Sequence, residues 1–159
     1  MVESMRQAKA EGLVVKANFV IGFPEETRED IWKTLRLMLD LARAGVDDAD
    51  LALFTPYPGS PLFEELSGTG ELGSLDDSYF ENLIVLYDFT FVRSFSRHVP
   101  GLELLVYRVV GLSLFYALAY GTHPWRIADL LRRIGPRFEA ANLFEQRLSD
   151  AWARVGMQQ

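Results

Sequence analysis

Two short apolar runs, Leu13 to Gly22 and Asp50 to Thr55, each lead into a proline-bearing loop, and one amphipathic stretch lies between them. Pro24 has no backbone N–H, so a strand ending at Gly22-Phe23-Pro24 cannot carry its ladder further. In the first run Val14, Val15, Phe19, Val20 and Ile21 are β-branched or aromatic, and Lys16 and Asn18 are too polar for a core helix. The second run, Leu51-Ala52-Leu53-Phe54, is apolar throughout, the pattern of a strand covered on both faces. Between them, Thr27 and Asp30 stand at capping-box spacing and predict a helix of about 17 residues. Its Ile31, Leu35, Met38 and Ala42, joined by Trp32 and Leu39, recur every three or four positions, so one stripe is buried, and Gly45 is the stop signal. Strand, helix and strand with short connections form a right-handed βαβ unit with parallel strands.

The flanking segments are helical. Met1 to Ala10 reads as the end of a helix with Val2, Met5 and Ala8 on one face and Gly12 at the left-handed cap position. Ser67 to Asp77, rich in Gly, Ser and acidic residues, reads as an exposed connection. From Tyr79 the pattern is helical with large aromatics, Phe80, Tyr87, Phe89, Phe91 and Phe95. Gly101 to Tyr120 reads as a buried helix, His123-Pro124 opens another, and Phe138, Ala141, Phe144, Leu148, Trp152 and Val155 share a face of a last one. The expected organisation is residues 1–66 as an α/β part, 67–78 as a linker and 79–159 as a helical extension. Two parallel strands do not make a stable sheet alone, so the α/β part reads as the tail of a larger barrel.

Composition narrows the functional classes. Sixteen Lys and Arg against 22 Asp and Glu leave a net charge of −6, the wrong sign for a nucleic-acid backbone as main partner. With no cysteine, the chain supplies no disulfide, thiolate zinc site, cysteine nucleophile or thiolate ligand for an iron–sulfur cluster. A cytoplasmic setting is the default expectation, because Met1 to Gly12 is too polar for a secretory signal. Leu104 to Tyr120 is interrupted by Arg108, Gly111 and Ser113, so membrane contact is not expected. His98 and His123 lack metal-ligand spacing, and no serine sits in a nucleophile elbow. Glu25 and Glu26 are adjacent carboxylates, with Glu26 read as a brace for the turn or the helix N-terminus rather than an acid or base. No catalytic side chain and no metal ligand is assigned.

Chemistry is therefore sought in two loops, Gly22-Phe23-Pro24-Glu25-Glu26-Thr27 and Thr55-Pro56-Tyr57-Pro58-Gly59-Ser60-Pro61. Both follow the carboxyl ends of neighbouring strands, the edge at which α/β sheets and barrels bind ligands. Gly22 permits close approach of the main chain to a ligand, and the helix start after Thr27 offers unpaired amides. Asn18 would present an amide to adenine or ribose if its side chain points into the barrel.

Together, in this order, the loops resemble the radical S-adenosylmethionine (radical SAM) enzymes, most of all the branch that often carries an N-terminal cobalamin-binding domain. Gly22, Phe23, Pro24, Glu26, Thr27, Asp30 and Thr34, then Thr55 to Gly59, Pro61 and Leu62, carry the similarity, which is strong over residues 1–66 and weak beyond. The resemblance implies the fifth and sixth strands of a partial (β/α)6 barrel. It implies a [4Fe-4S] cluster on a CxxxCxxC motif that reductively cleaves S-adenosylmethionine to a 5′-deoxyadenosyl radical, with cobalamin as a further cofactor in the branch. By position, Asn18, Val20 and Gly22, with Phe23, would border adenine and ribose, and Thr55, Pro56 and Tyr57 would border adenine from the next strand. The cluster motif and the first four strands are absent here, so the chain alone is expected to be inactive and to need the amino-terminal half of the barrel as partner. The complete enzyme would carry out radical methyl transfer, cyclisation or rearrangement on a small-molecule substrate. Unpaired strand edges predict aggregation or oligomers of the isolated chain. Glu25 stands where the family often has Gly, which would strain the turn if that position needs a positive φ. Two other readings stay open: a non-catalytic α/β interaction module, and a membrane-peripheral helical protein using Leu102 to Tyr120.

Overall fold

A computed structural model describes residues 2–72, Tyr79 and residues 94–128. Helix α1 spans Val2–Ala10, strand β1 Lys16–Ile21, helix α2 Arg28–Arg43, strand β2 Asp48–Leu53, helix α3 Pro61–Gly68 and helix α4 Gly101–Thr122. Strands β1 and β2 pair into a two-stranded sheet. The Val15 carbonyl accepts the Asp47 N–H at 3.0 Å, and the Ile21 carbonyl accepts the Phe54 N–H at 2.7 Å. Both partners advance together along the chain, so the strands are parallel.

Each element forms for a local reason. The Thr27 hydroxyl and the Asp30 carboxylate close the capping box at 2.6 Å, and the Thr27 N–H donates to the same carboxylate oxygen. Helix α2 ends where the Val46 N–H donates back to the Leu41 carbonyl and the Gly45 N–H to the Ala42 carbonyl, a Schellman motif. Gly45 has φ +91° there, and Gly12 closes α1 with the same pair of bonds. Helix α3 is not anticipated from the sequence. Ser60 caps it by accepting the Phe63 N–H at 3.2 Å, and Pro61 occupies its first turn.

The described chain divides into two compact units, each built from separated segments. Of the described residues, the first takes 2–17, 37–50 and 112–128. Its buried groups include Met38, Leu41, Ala42, Val46, Ala49, Phe115 and Ala119. Asp47 is its polar hub: one carboxylate oxygen accepts the Lys9 ammonium at 2.6 Å and the Val15 N–H at 2.8 Å, and the other accepts the Arg126 guanidinium at 3.0 Å. Arg126 also donates to the Gly45 and Val46 carbonyls, at 2.7 and 3.0 Å, and so satisfies acceptors at the end of α2. The Tyr116 hydroxyl donates to the buried Asp48 carboxylate at 2.6 Å.

Of the described residues, the second unit takes 18–36, 51–72, Tyr79 and 94–111. Ile21, Ile31, Leu35, Leu51 and Leu104 are buried there, and Phe63, Leu66, Leu72, Tyr79 and Phe95 form a cluster with Phe54 against it. Two expectations are corrected. Residues 94–100 are irregular rather than helical, because Ser94 and Ser96 turn the chain: the Ser94 hydroxyl donates to the Val99 carbonyl, and the Ser96 hydroxyl accepts the Val99 N–H. Helix α4 is buried only along the stripe Leu104, Arg108, Gly111, Phe115 and Ala119, leaving Leu102, Val106, Val109 and Val110 exposed. Among the described residues α4 is the one helix long and apolar enough to cross a membrane. The expected helices over 80–93 and beyond residue 128 lie outside the described residues.

Candidate functional site

Because β1 and β2 are parallel, the loops that follow them leave from the same edge of the sheet. All seven residues singled out from the sequence belong to the second compact unit. Burial along β1 alternates: Ala17 and Ile21 are packed, whereas Lys16, Asn18 and Val20 are exposed, Val20 to 43%. Asn18 and Val20 thus share an open strand face that offers an amide and an apolar surface.

The Gly22-Phe23-Pro24-Glu25-Glu26 segment is a tight turn in which the Glu26 N–H donates to the Phe23 carbonyl at 3.0 Å. Pro24 and Glu25 hold its two central positions. Among the described residues no non-glycine has a positive φ, so Glu25 fits the turn without the strain a left-handed position would impose. Glu26 braces the turn, as expected. Its carboxylate accepts the Gly22 N–H and, at 3.2 Å, the Phe23 N–H. Burial pushes the Glu26 carboxyl above its ordinary value, and the two amide bonds work against that rise.

Gly22 is buried with φ +91°, a conformation that disfavours any side chain. A Cβ there would lie 2.9 Å from Leu104 Cδ1. The close neighbour of Gly22 is thus Leu104 of α4, and its N–H is already taken by Glu26. The helix-start amides are likewise met in part from within the chain: Asp30 N–H lies 3.1 Å from the Thr27 carbonyl, and Glu29 and Asp30 place negative charge in the first turn.

An aromatic group lines this edge. The Phe23 ring, 38% exposed, lies 4.5 Å from the ring of Phe54, which meets Phe95 edge-on at 6.4 Å. Beyond β2, Thr55 is half-buried and Tyr57 is 54% exposed. Pro56 is buried, and its carbonyl accepts the Tyr79 hydroxyl. The surfaces left open to a ligand are therefore Asn18, Val20, Phe23 and Tyr57, with Thr55 at their margin, whereas Gly22 and Pro56 are internal supports.

Three contributors escape sequence reasoning because they arrive from far along the chain. Arg97 N–H donates to the Pro24 carbonyl at 3.0 Å, and its guanidinium pairs with Glu25 and, at 3.0 Å, with Glu71. Tyr79 and Phe95 complete the packing beneath the loops. No short motif connects them to the turn; only the excess of aromatics after residue 78 hints at a second layer.

The geometry defines a parallel α/β edge with a rigid Gly-Phe-Pro turn, an adjoining aromatic surface and no metal-ligand cluster among the described residues. Comparison with known proteins finds short local similarities. The chain is 38% identical over 63 residues to an uncharacterized methyltransferase of Pyrococcus horikoshii, a match covering 40% of this chain and 13% of that protein. It is 34% identical over 61 residues to a tRNA-2-methylthio-N(6)-dimethylallyladenosine synthase of Shewanella baltica, covering 38% and 12% of the two chains. It is 32% identical over 80 residues to the anaerobic magnesium-protoporphyrin IX monomethyl ester cyclase of Rubrivivax gelatinosus, covering 50% and 14%. The matches thus span only about an eighth of the length of these relatives. No family model and no solved structure matches. The short similarities support a link to the radical SAM enzymes that the two loops resemble.

Proposed function

We propose that the chain is the carboxyl-terminal part of a radical SAM enzyme, contributing the last two strands of its barrel and one wall of the adenosine pocket. The observation that carries this reading is the open face of β1 beside the braced turn, where Asn18, Val20, Phe23 and Tyr57 are exposed in one compact unit. These residues fit an adenosine group. The Asn18 amide is able to pair with the donor and acceptor edge of adenine, Val20 offers an apolar surface to the base, and Phe23 and Tyr57 offer ring faces. Gly22 and Pro56 act by holding the two loops in place, and half-buried Thr55 borders the surface at its margin.

The [4Fe-4S] cluster does not fit this chain, which has no thiolate to bind it. When bound, such a cluster supplies the electron that cleaves S-adenosylmethionine, and its ligands must come from the amino-terminal half of the barrel. That half is the proposed partner, whether on the same polypeptide or another, together with a small-molecule substrate and a cytoplasmic setting. Use of cobalamin belongs to the same reading and rests on the branch resemblance alone. The reactions proposed for the whole enzyme are radical methyl transfer, cyclisation or rearrangement.

The test is anaerobic reconstitution, with iron and sulfide, of this chain together with the upstream polypeptide bearing a CxxxCxxC motif, assayed for 5′-deoxyadenosine. Formation of 5′-deoxyadenosine that drops when Asn18→Ala or Tyr57→Ala is introduced supports the reading. An upstream sequence without the three cysteines contradicts it. A second reading, membrane-peripheral binding through α4, rests on its exposed Leu102, Val106, Val109 and Val110 and predicts sedimentation with liposomes.

A further inference from the structure

The segment 94–99 makes no use of regular secondary structure, yet it is tied to the Gly-Phe-Pro turn at every level of the chain. Its backbone meets the turn where the Arg97 N–H donates to the Pro24 carbonyl at 3.0 Å. One of its hydroxyls meets it where Ser96 Oγ lies 3.4 Å from the Glu26 carbonyl oxygen. Its charge meets the turn through the Arg97 guanidinium on Glu25, and the same fork is bidentate on Glu71, at 3.0 and 3.3 Å. Glu65 of α3 adds a third carboxylate 3.7 Å away, and His98 Nε2 lies 3.9 Å from Glu25. Its apolar side meets the unit where Phe95 is buried edge-on against Phe54, which in turn packs on Phe23. The segment itself is held in shape by Ser94 and Ser96, which bond to the carbonyl and N–H of Val99.

We infer that residues 94–99 are a strap over the Phe23–Glu26 turn, with Arg97 as a positioning residue that sets the shape of the ligand-binding edge. Arg97 bonds to Pro24, Glu25 and Glu71 rather than to the open side chains. It acts through Pro24 and Glu25, which hold the central positions of the turn, and so fixes where the Phe23 ring stands. A lone exposed ion pair contributes little, but three carboxylates on one planar fork that is also anchored by its own backbone N–H form a network, and an arginine is needed to serve them at once. Because the network is exposed, it is sensitive to salt, and the turn it holds is the part of the unit that ionic strength would loosen first. This inference rests on the adenosine reading only for the consequence of the strap, not for the strap itself.

The experiment uses the full chain, unaltered and with Arg97→Gln, Arg97→Lys or Glu71→Gln, followed by amide hydrogen exchange and by titration with S-adenosylmethionine. The Glu26 N–H, bonded to the Phe23 carbonyl, reports the turn. The Val15 N–H, bonded to Asp47 in the other unit, reports general unfolding. Arg97→Gln is expected to speed exchange at Glu26 by about fivefold, Arg97→Lys and Glu71→Gln by less, with Val15 unchanged. Raising the salt concentration should speed Glu26 exchange in the unaltered chain and not in Arg97→Gln, a readout that survives even if a variant folds poorly. Equal Glu26 exchange in all four proteins, or parallel acceleration at Val15, overturns the strap. If the unaltered chain binds S-adenosylmethionine, Arg97→Gln should weaken that binding. Accelerated Glu26 exchange without any binding leaves the strap standing and counts against the adenosine reading alone.

Discussion

The Glu26 carboxylate folds back onto Gly22 and accepts that residue's backbone N–H, closing the turn in which β1 ends. Two consequences follow from this one relationship. The main-chain donor at the glycine is spent inside the protein, and a carboxylate is drawn into a half-buried site that raises its proton affinity. The turn is thus stiffened from within, and the Gly22 amide is not left free for a ligand.

The raised Glu26 carboxyl has a definite sign in stability. A carboxyl that holds its proton more tightly when folded favours folding below its ordinary range, and that contribution is lost as pH rises through the folded value. Glu26→Gln mimics the protonated form. The unaltered chain should therefore gain stability relative to Glu26→Gln as pH is lowered from neutrality into the carboxyl range, measured by urea unfolding at several pH values. A pH-independent difference would show that burial does not govern this group.

Gly22 combines a left-handed backbone with a tight neighbour. Gly22→Ala should destabilise the chain by about 1–3 kcal/mol, through the positive φ and the approach to Leu104 Cδ1. Leu104→Ala relieves the steric part only. The double variant should therefore be less destabilised than the sum of the singles and still below Leu104→Ala, as read from Tm.

His123 behaves in the opposite sense to Glu26. Both ring nitrogens are buried without a close side-chain partner among the described residues, the ring packs on Trp125 at 4.7 Å, and Gly45 lies against it. Burial first, and the nearby Arg126 charge second, lower its proton affinity, with Asp47 working the other way and Lys9 adding to the fall. Its contribution is present above the ordinary histidine range and declines as pH falls through and below it. His123→Gln should reduce the loss of stability between pH 7.5 and 5.5; an unchanged acid sensitivity would remove His123 from the account.

Tyr116→Phe tests the buried hydrogen bond to Asp48. Removing the hydroxyl leaves a buried carboxylate short of a donor, for a cost of about 1–3 kcal/mol in chemical denaturation. A change within about 0.5 kcal/mol would mean that Lys16, 3.8 Å from Asp48, suffices.

What was legible in the sequence was local. Thr27 and Asp30 cap α2, Gly12 and Gly45 close their helices, and the apolar rhythm of Ile31, Leu35, Met38 and Ala42 is the buried stripe. The bracing role of Glu26 was legible too, because a carboxylate three residues after Phe23 reaches back naturally. Helix α3 escaped because it is eight residues long and hidden in a proline-rich run, where only the Ser60-Pro61 pair signals a start. The exposed side of α4 escaped because apolar composition does not tell a half-covered helix from an enclosed one. Arg97 escaped for a different reason. Its partners lie 26 and 72 positions away, and no periodicity within one element announces a contact at that separation.

That this strand edge is one wall of an adenosine pocket is tested most directly by assembling the isotope-labelled chain with the upstream polypeptide, titrating the assembly with S-adenosylmethionine and following the labelled chain's backbone amide resonances. Saturable shifts gathered at Asn18, Val20, Phe23, Thr55 and Tyr57 are the predicted result. Saturable shifts centred on Asp47 and Arg126, or none at those five residues at millimolar ligand, would contradict it.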